Sequence, residues 1–216
     1  MYNACMKIIE LNEVDSTHSY LKNYIASNGF TEPLCVTTTN QTQGVGSRGN
    51  SWIGKKGNLF FSFALKQKSL PQDLPLQSAS IYFSYVLKKT LEQLGSNVWL
   101  KWPNDFYVEN KKIGGTITSA NKELFFCGIG LNLLSVEEAY GSLDVELSPQ
   151  IILNNYFLEL ERVISWKQIF SEFKIDFQKS KFYKSTVNSE KVSLNNAILN
   201  DDGSISLGNT KVFSLR

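Results

Sequence analysis

The spacing of apolar and polar positions lays out the chain before any motif is considered. Residues 6 to 14 (MKIIELNEV) predict a strand. Asp15, Ser16 and Thr17 then offer cap-type side chains ahead of a helix through SYLKNYIAS that stops at Asn28-Gly29. LCVTTT, rich in β-branched residues, predicts a second strand and LFFSFAL a third. Between them runs a polar, glycine-laden loop, NQTQGVGSRGNSWIGKKGN, too long for a simple turn. From Pro71 to Gly95, Leu76, Ala79, Ile81, Tyr82, Val86, Leu87, Leu91 and Leu94 recur at helical spacing. VWLKW, the hairpin-like FYVENKKIGGTIT and LFFCGIGLNLL read as strands. Helical periodicity returns from Pro149 to about Lys179, and the rest alternates like short strands joined by Asp-Gly and Gly-Asn turns. With no internal repeat or low-complexity tract, this order predicts an α+β class: a mixed β-sheet packed with helices over residues 1–180, and a small, short β appendage over 181–216.

Composition narrows the function classes. Of 216 residues, 42% are hydrophobic and 19% charged, enough apolar material for one well-packed domain with an appendage. The 22 Lys and Arg against 20 Asp and Glu leave a net +2, far from the clustered positive field of a nucleic-acid binder. Cys5, Cys35 and Cys127 are odd in number and widely spaced, so neither a disulfide framework nor a zinc pattern is present. The opening residues lack a signal-type apolar run, and no stretch approaches the roughly 20 apolar residues of a membrane span. The expectation is a cytoplasmic protein that binds neither nucleic acid nor membrane.

Four stretches carry candidate chemistry. In the loop, Gly44, Gly46, Gly49 and Gly54 allow backbone amides close to an anion, Arg48, Lys55 and Lys56 supply charge, and Trp52 offers a flat apolar face. The order is neither a P-loop nor a dinucleotide fingerprint, and a plain surface loop is the alternative. In KWPND (101–105), Pro103 ends a strand and presents Asn104 and Asp105 from its end. The carboxylate suits Mg²⁺ or a substrate hydroxyl and the amide a base edge, unless the segment is only a polar turn. Lys112 of KKIGG follows seven residues later, where a hairpin returns its ammonium toward that strand end to neutralise a developing oxyanion or phosphoryl charge. GIGLN (128–132) ends in Asn132, another amide for an adenine edge or simply a glycine-lined strand end. His18 is the sole histidine, and without a GxSxG elbow serine hydrolysis is set aside.

Taken in series, DSTHSYL, QTQGVGSRGNSW, KWPND with KKIGG, and GIGLN resemble the biotin protein ligase (holocarboxylase synthetase) family over roughly residues 8 to 134. The resemblance implies the biotin/lipoate ligase catalytic fold, similar to class II aminoacyl-tRNA synthetases, over 1–180, and a cut-down SH3-like domain over 181–216. It implies the substrates biotin and ATP with Mg²⁺, biotinyl-5′-AMP as intermediate, and transfer to a lysine of a biotin carboxyl carrier protein of a carboxylase. By the same resemblance Ser16, Thr17, His18, Gln41, Gly44, Val45, Gly46, Ser47 and Lys112 hold biotin, and Arg48, Trp52, Asn104, Gly115 and Asn132 face the adenylate. Lys112, Arg48 and Asp105 would be catalytic, with Asp105 also a metal ligand.

This chain departs from the family loop: Val45, Ser47 and Asn50 stand at positions where the resemblance implies arginines, and Arg48 alone remains, either to substitute for the arginine usual at Ser47 or to leave the intermediate held more loosely. His18 replaces an asparagine, with an expected pH-sensitive character. Few residues precede the first strand, so the DNA-binding domain of regulatory members is not expected, and whether the chain forms a homodimer is open. Lipoate or octanoate transfer, and a catalytically impaired biotin-binding protein, are the competing readings.

Overall fold

The structure, a computed structural model, describes residues 6–46, 51–52, 54–134, 139–187 and 190–213. The elements in order are β1 (Lys7–Leu11), α1 (Thr17–Asn28), β2 (Leu34–Thr38), β3 (Gly44–Val45), β4 (Ser51–Trp52) and β5 (Leu59–Lys66). Then come α2 (Ala79–Gln93), β6 (Trp99–Lys101), β7 (Asp105–Val108), β8 (Lys111–Ala120) and β9 (Leu124–Leu131). The chain continues through α3 (Pro149–Glu161), α4 (Trp166–Ser180), β10 (Lys184–Val187), β11 (Glu190–Ser193), β12 (Ile198–Leu199), β13 (Ile205–Leu207) and β14 (Thr210–Val212). Seven strands form one sheet in the order β1-β2-β5-β9-β8-β7-β6. Only the β1–β2 pair is parallel, as the α1 crossover between them allows. The sheet is therefore mixed and helix-packed, as the sequence predicts.

The core follows from the period of two along β5, LFFSFALK. Phe61, Phe63 and Leu65 enter one large apolar cluster with α2, α3 and α4, while Ala64 joins a smaller one beneath α1 with Leu21, Ile25, Val36 and Phe126. Phe63 is the aromatic junction, with edge-on contacts to Phe83 at 5.2 Å and Phe157 at 5.6 Å between centroids. The C-terminal strands contribute Val187, Leu194, Ala197, Ile205 and Val212 to the larger cluster. Two buried indoles tie them on: Trp102 Nε1 donates to the Gly203 carbonyl and Trp166 Nε1 to that of Asp201, each at 2.9 Å. Gly203, in the Asp-Gly turn, has φ +78°, and a Cβ there would lie 2.7 Å from Ser78 Oγ.

Element boundaries differ from expectation where local chemistry intervenes. The long helix begins only at Ala79, after Pro71 and Pro75 and one 3₁₀ turn at Leu76–Ser78. The helical stretch from Pro149 splits in two. Val163 takes φ +48°, and Ser165 then caps a new helix by accepting from Gln168 N at 3.3 Å. The glycine loop contains the short antiparallel pair β3–β4. No helix among the described residues is long and apolar enough to cross a membrane.

Phe63→Ala removes the ring at this junction and is expected to lower unfolding free energy by about 3–5 kcal/mol. Urea denaturation of the two proteins measures it, and a loss under 1 kcal/mol would contradict the packing described.

Candidate active site

The same alternation that fills one face of the sheet hollows out the other. Ser62, Gly128 and Ile117 are register partners across β5, β9 and β8, as are Phe60, Gly130 and Gly115. The glycines keep this floor low. A Cβ on Gly128 would sit 3.0 Å from Ser62 Oγ and 3.2 Å from His18 Nδ1, and one on Gly130 would sit 2.8 Å from the Trp52 indole. Because α1 covers only part of this face, a cavity of about 410 Å³ remains over the strand ends, within the range of small-ligand sites.

One end of the cavity is a neutral polar corner. Ser16 caps α1 by accepting from Ser19 N at 3.3 Å, which places Thr17 and His18 in the first turn, at the positive end of the helix dipole. Gln41 Oε1 accepts from Thr17 N at 2.9 Å and Thr17 Oγ1 at 3.1 Å, and Thr17 Oγ1 meets Ser62 Oγ at 2.9 Å. His18 is buried, with Nε2 3.5 Å from Ser119 Oγ and Nδ1 lacking a partner among the described residues. Burial, aided by the Lys22 charge, pulls its pKa down from 6.5 to about 4. The imidazole is neutral at physiological pH, so the pH sensitivity anticipated for it lies well below neutrality.

The other end carries the charge. Asp105 and Gly115 are register partners across β7 and β8, and the turn at Glu109, with φ +51°, folds Lys112 back as the spacing implied. Lys112 Nζ lies 2.5 Å from Asp105 Oδ1, and Lys101 Nζ 3.1 Å from Asp105 Oδ2. Burial pushes the Asp105 pKa up, but Lys112 and Lys101 outweigh it and hold the carboxyl below its ordinary range. Both carboxylate oxygens are thus engaged by ammonium groups. No cluster of three His, Cys, Asp or Glu side chains suited to a metal occurs among the described residues.

The remaining expected site residues divide. Val45, Gly46, Trp52, Asn104, Gly115 and Asn132 all line the cavity. Gly44 does not; it sits at the base of β3–β4, where a Cβ would be 2.6 Å from the Trp52 carbonyl. Ser47, Arg48 and Asn50 lie outside the described residues, as does Gly49. The Trp52 ring lies 5.6 Å from Lys112 Nζ, its buried Nε1 without a partner among the described residues. The two side-chain amides are already engaged within the chain. Asn104 Nδ2 donates to the Thr116 carbonyl, and Asn132 Nδ2 to that of Gly141 at 3.2 Å, while Asn132 Oδ1 accepts from Asn58 at 3.4 Å.

Sequence reasoning missed Ser62, Thr116, Ile117, Gly128, Ile129, Gly130 and Tyr140, which complete the lining, and the buried Lys101 beside it. The alternating glycines of GIG and the lone Ser in LFFSFAL marked the low face. Tyr140 carried no such signal, because its place depends on the bridge to Lys112 across a long connection.

For His18 the sign is fixed by its lowered pKa. As pH falls from 6.5 toward 4 the unfolded chain takes the proton first, so the native state loses about 3 kcal/mol relative to a chain without this group. Urea denaturation of His18→Asn and the unaltered chain at pH 7 and pH 4 should show the variant gaining by that amount on acidification. A difference independent of pH would refute the desolvated imidazole.

With this geometry in hand, comparison with known proteins places the chain. It is 31% identical over 133 residues to "Biotin--protein ligase 2" of Arabidopsis thaliana, covering 56% of this chain and 38% of that protein. It is 28% identical over 135 residues to the "Bifunctional ligase/repressor BirA" of Escherichia coli (strain K12), covering 58% and 41%. The chain thus matches less than half the length of these relatives. Among solved structures it is similar to the biotin acetyl coenzyme A carboxylase synthetase of Helicobacter pylori with bound biotinylated ATP. The TM-score is 0.91 and the identity 34%, covering 97% of this chain and 99% of that one. The biotin protein ligase of Aquifex aeolicus in complex with biotin and ATP shares the fold, with TM-score 0.72 at 24% identity over 97% of this chain and 98% of that one. Residues 11–132 match the model of the Biotin/lipoate A/B protein ligase family, and the chain belongs to that family.

Proposed function

We propose that this chain is a biotin protein ligase: it joins biotin to ATP as biotinyl-5′-AMP, releasing pyrophosphate, and passes the biotinyl group to a lysine of a biotin carboxyl carrier protein. The observation that carries this reading is the pairing, in one cavity, of a neutral polar corner with a cationic end. The corner formed by Ser16, Thr17, Gln41 and Ser62 suits a ureido ring that both donates and accepts hydrogen bonds. Lys112 at the far end suits the carboxylate and the α-phosphate it attacks. The likeness to the Helicobacter pylori synthetase along nearly the whole chain supports the same assignment.

In this reading one carboxylate oxygen of biotin attacks the α-phosphorus and the bond to the bridging oxygen of pyrophosphate breaks. The acceptor amine then attacks the acyl carbon, expelling AMP and giving up its proton. Lys112 offsets the charge that gathers on the phosphoryl oxygens, and the enclosed floor brings the reacting groups together. Trp52 offers the adenine a face, and Val45 and Gly46 cover the intermediate, with Ser47 and Arg48 continuing the same loop in sequence. The described residues do not fit a protein-held metal, since both oxygens of Asp105 are taken by lysines; magnesium enters as the companion of ATP. ATP as substrate and the buried free thiols of Cys35 and Cys127 suit the cytoplasm.

Transfer of labelled biotin to a purified carrier domain with MgATP tests the reading, with labelled lipoate as competitor substrate. Lys112→Ala is expected to lower biotin-dependent ATP–pyrophosphate exchange by about 10²–10³-fold. Preference for lipoate, or tight biotin binding without exchange or transfer, would overturn the assignment.

A further inference from the structure

The described residues that line the cavity include two with opposite full charges, Asp105 and Lys112, bound to each other at 2.5 Å. On their own they sum to zero, which is poor provision for a site whose proposed substrates are a carboxylate and a triphosphate. The loop does little to help at Val45, Ser47 and Asn50, which carry no charge. Beside the cavity stands a third ionisable group. Lys101 is the register partner of Asp105 across β6 and β7, its side chain is only 6% exposed, and its Nζ is 3.1 Å from Asp105 Oδ2. Asp105 is its only carboxylate partner among the described residues, and its remaining close neighbour of note is the Tyr107 ring at 5.8 Å.

We infer that Lys101 is a positioning residue for the anionic substrate: by holding Asp105 it gives the cavity a net positive charge and frees Lys112 to turn toward a carboxylate or phosphate. This rests on the biotin reading for the identity of that anion. Two ammoniums on one carboxylate leave a single positive charge. When Lys112 moves to the substrate, Asp105 keeps a partner in Lys101, so no half-buried carboxylate is stranded. Without Lys101, Asp105 competes with the substrate for Lys112, and each can be satisfied only at the other's expense.

Calorimetric binding of biotin and of biotinol, its uncharged alcohol, to the full chain separates this role from a structural one. Lys101→Met is expected to weaken biotin by about tenfold more than biotinol, the range for losing a charge-assisted contact. Lys101→Arg should keep the unaltered ratio. Equal losses for both ligands, or none, would overturn the inference. Should Lys101→Met fail to fold, the double variant Lys101→Met, Asp105→Asn restores the net charge without the clamp. Its ratio should match the unaltered chain, and a lowered one counts against the inference. If the unaltered chain binds neither ligand, the biotin reading is what fails. The same ratio taken for ATP against adenosine then decides on Lys101.

Discussion

Everything in this molecule hangs on the period of two in its central strands, and on what that period places on each side of the sheet. In β5 and β9, Phe61, Phe63, Phe125 and Cys127 fall on the side covered by α2, α3 and α4, while Phe60, Ser62, Phe126, Gly128 and Gly130 fall on the other. A slip of one residue would exchange the two sets, burying a serine and two glycines against the helices and filling the cavity with phenyl rings. The burial that secures the fold therefore also secures the register of the site. It explains why the site needs few polar side chains from the strands themselves: the strands contribute space, and the loops and helix ends at their margins contribute chemistry.

Those margins divide the work by charge. The α1 terminus brings hydroxyls and a neutral imidazole, able to meet a neutral polar ring without imposing a net charge on it. The β6–β7–β8 edge brings two ammoniums around one carboxylate. Asp105 is more useful ion-paired than it would be as a lone ligand. It offsets the repulsion between the buried Lys101 ammonium and the partly exposed Lys112 ammonium at the edge of the cavity. Preorganisation of this kind lowers the reorganisation needed when charge develops on a phosphoryl group.

Much of this was legible in the sequence because it is local. The Ser16 cap, the KKIGG hairpin return and the strand end at KWPND follow from spacing and from the conformational habits of serine, glycine and proline. Where the sequence fell short, the determinant was distant in the chain. His18 reads as a pH-responsive residue until Ser119, Ile117 and Gly128 close around it from strands 99 to 110 positions later. Asn104 and Asn132 read as free amides until Thr116, Asn58 and Gly141 take up their polar atoms. Lys101 reads as an ordinary strand lysine, since nothing in KWPND reveals that its ammonium is buried against the carboxylate four residues on.

The uncharged residues at Val45, Ser47 and Asn50 bear on how the proposed site would manage a charged, water-labile intermediate. An arginine at the exposed position of Val45 would add long-range attraction that salt screens readily. The Lys101 and Lys112 ammoniums, the first buried and the second partly exposed, act over a few ångströms and are held by the sheet. With fewer loop charges, the attraction for substrate rests more on the interior of the cavity and less on its cover. Val45, at 47% exposed, also places an apolar side chain at the rim of the cavity. An apolar cover excludes water by contact and needs no counter-charge to close, which suits an acyl phosphate that hydrolysis would waste. Under the proposed function, protection of the intermediate would fall to Val45 and Gly46 and neutralisation of its charge to the β6–β7–β8 edge.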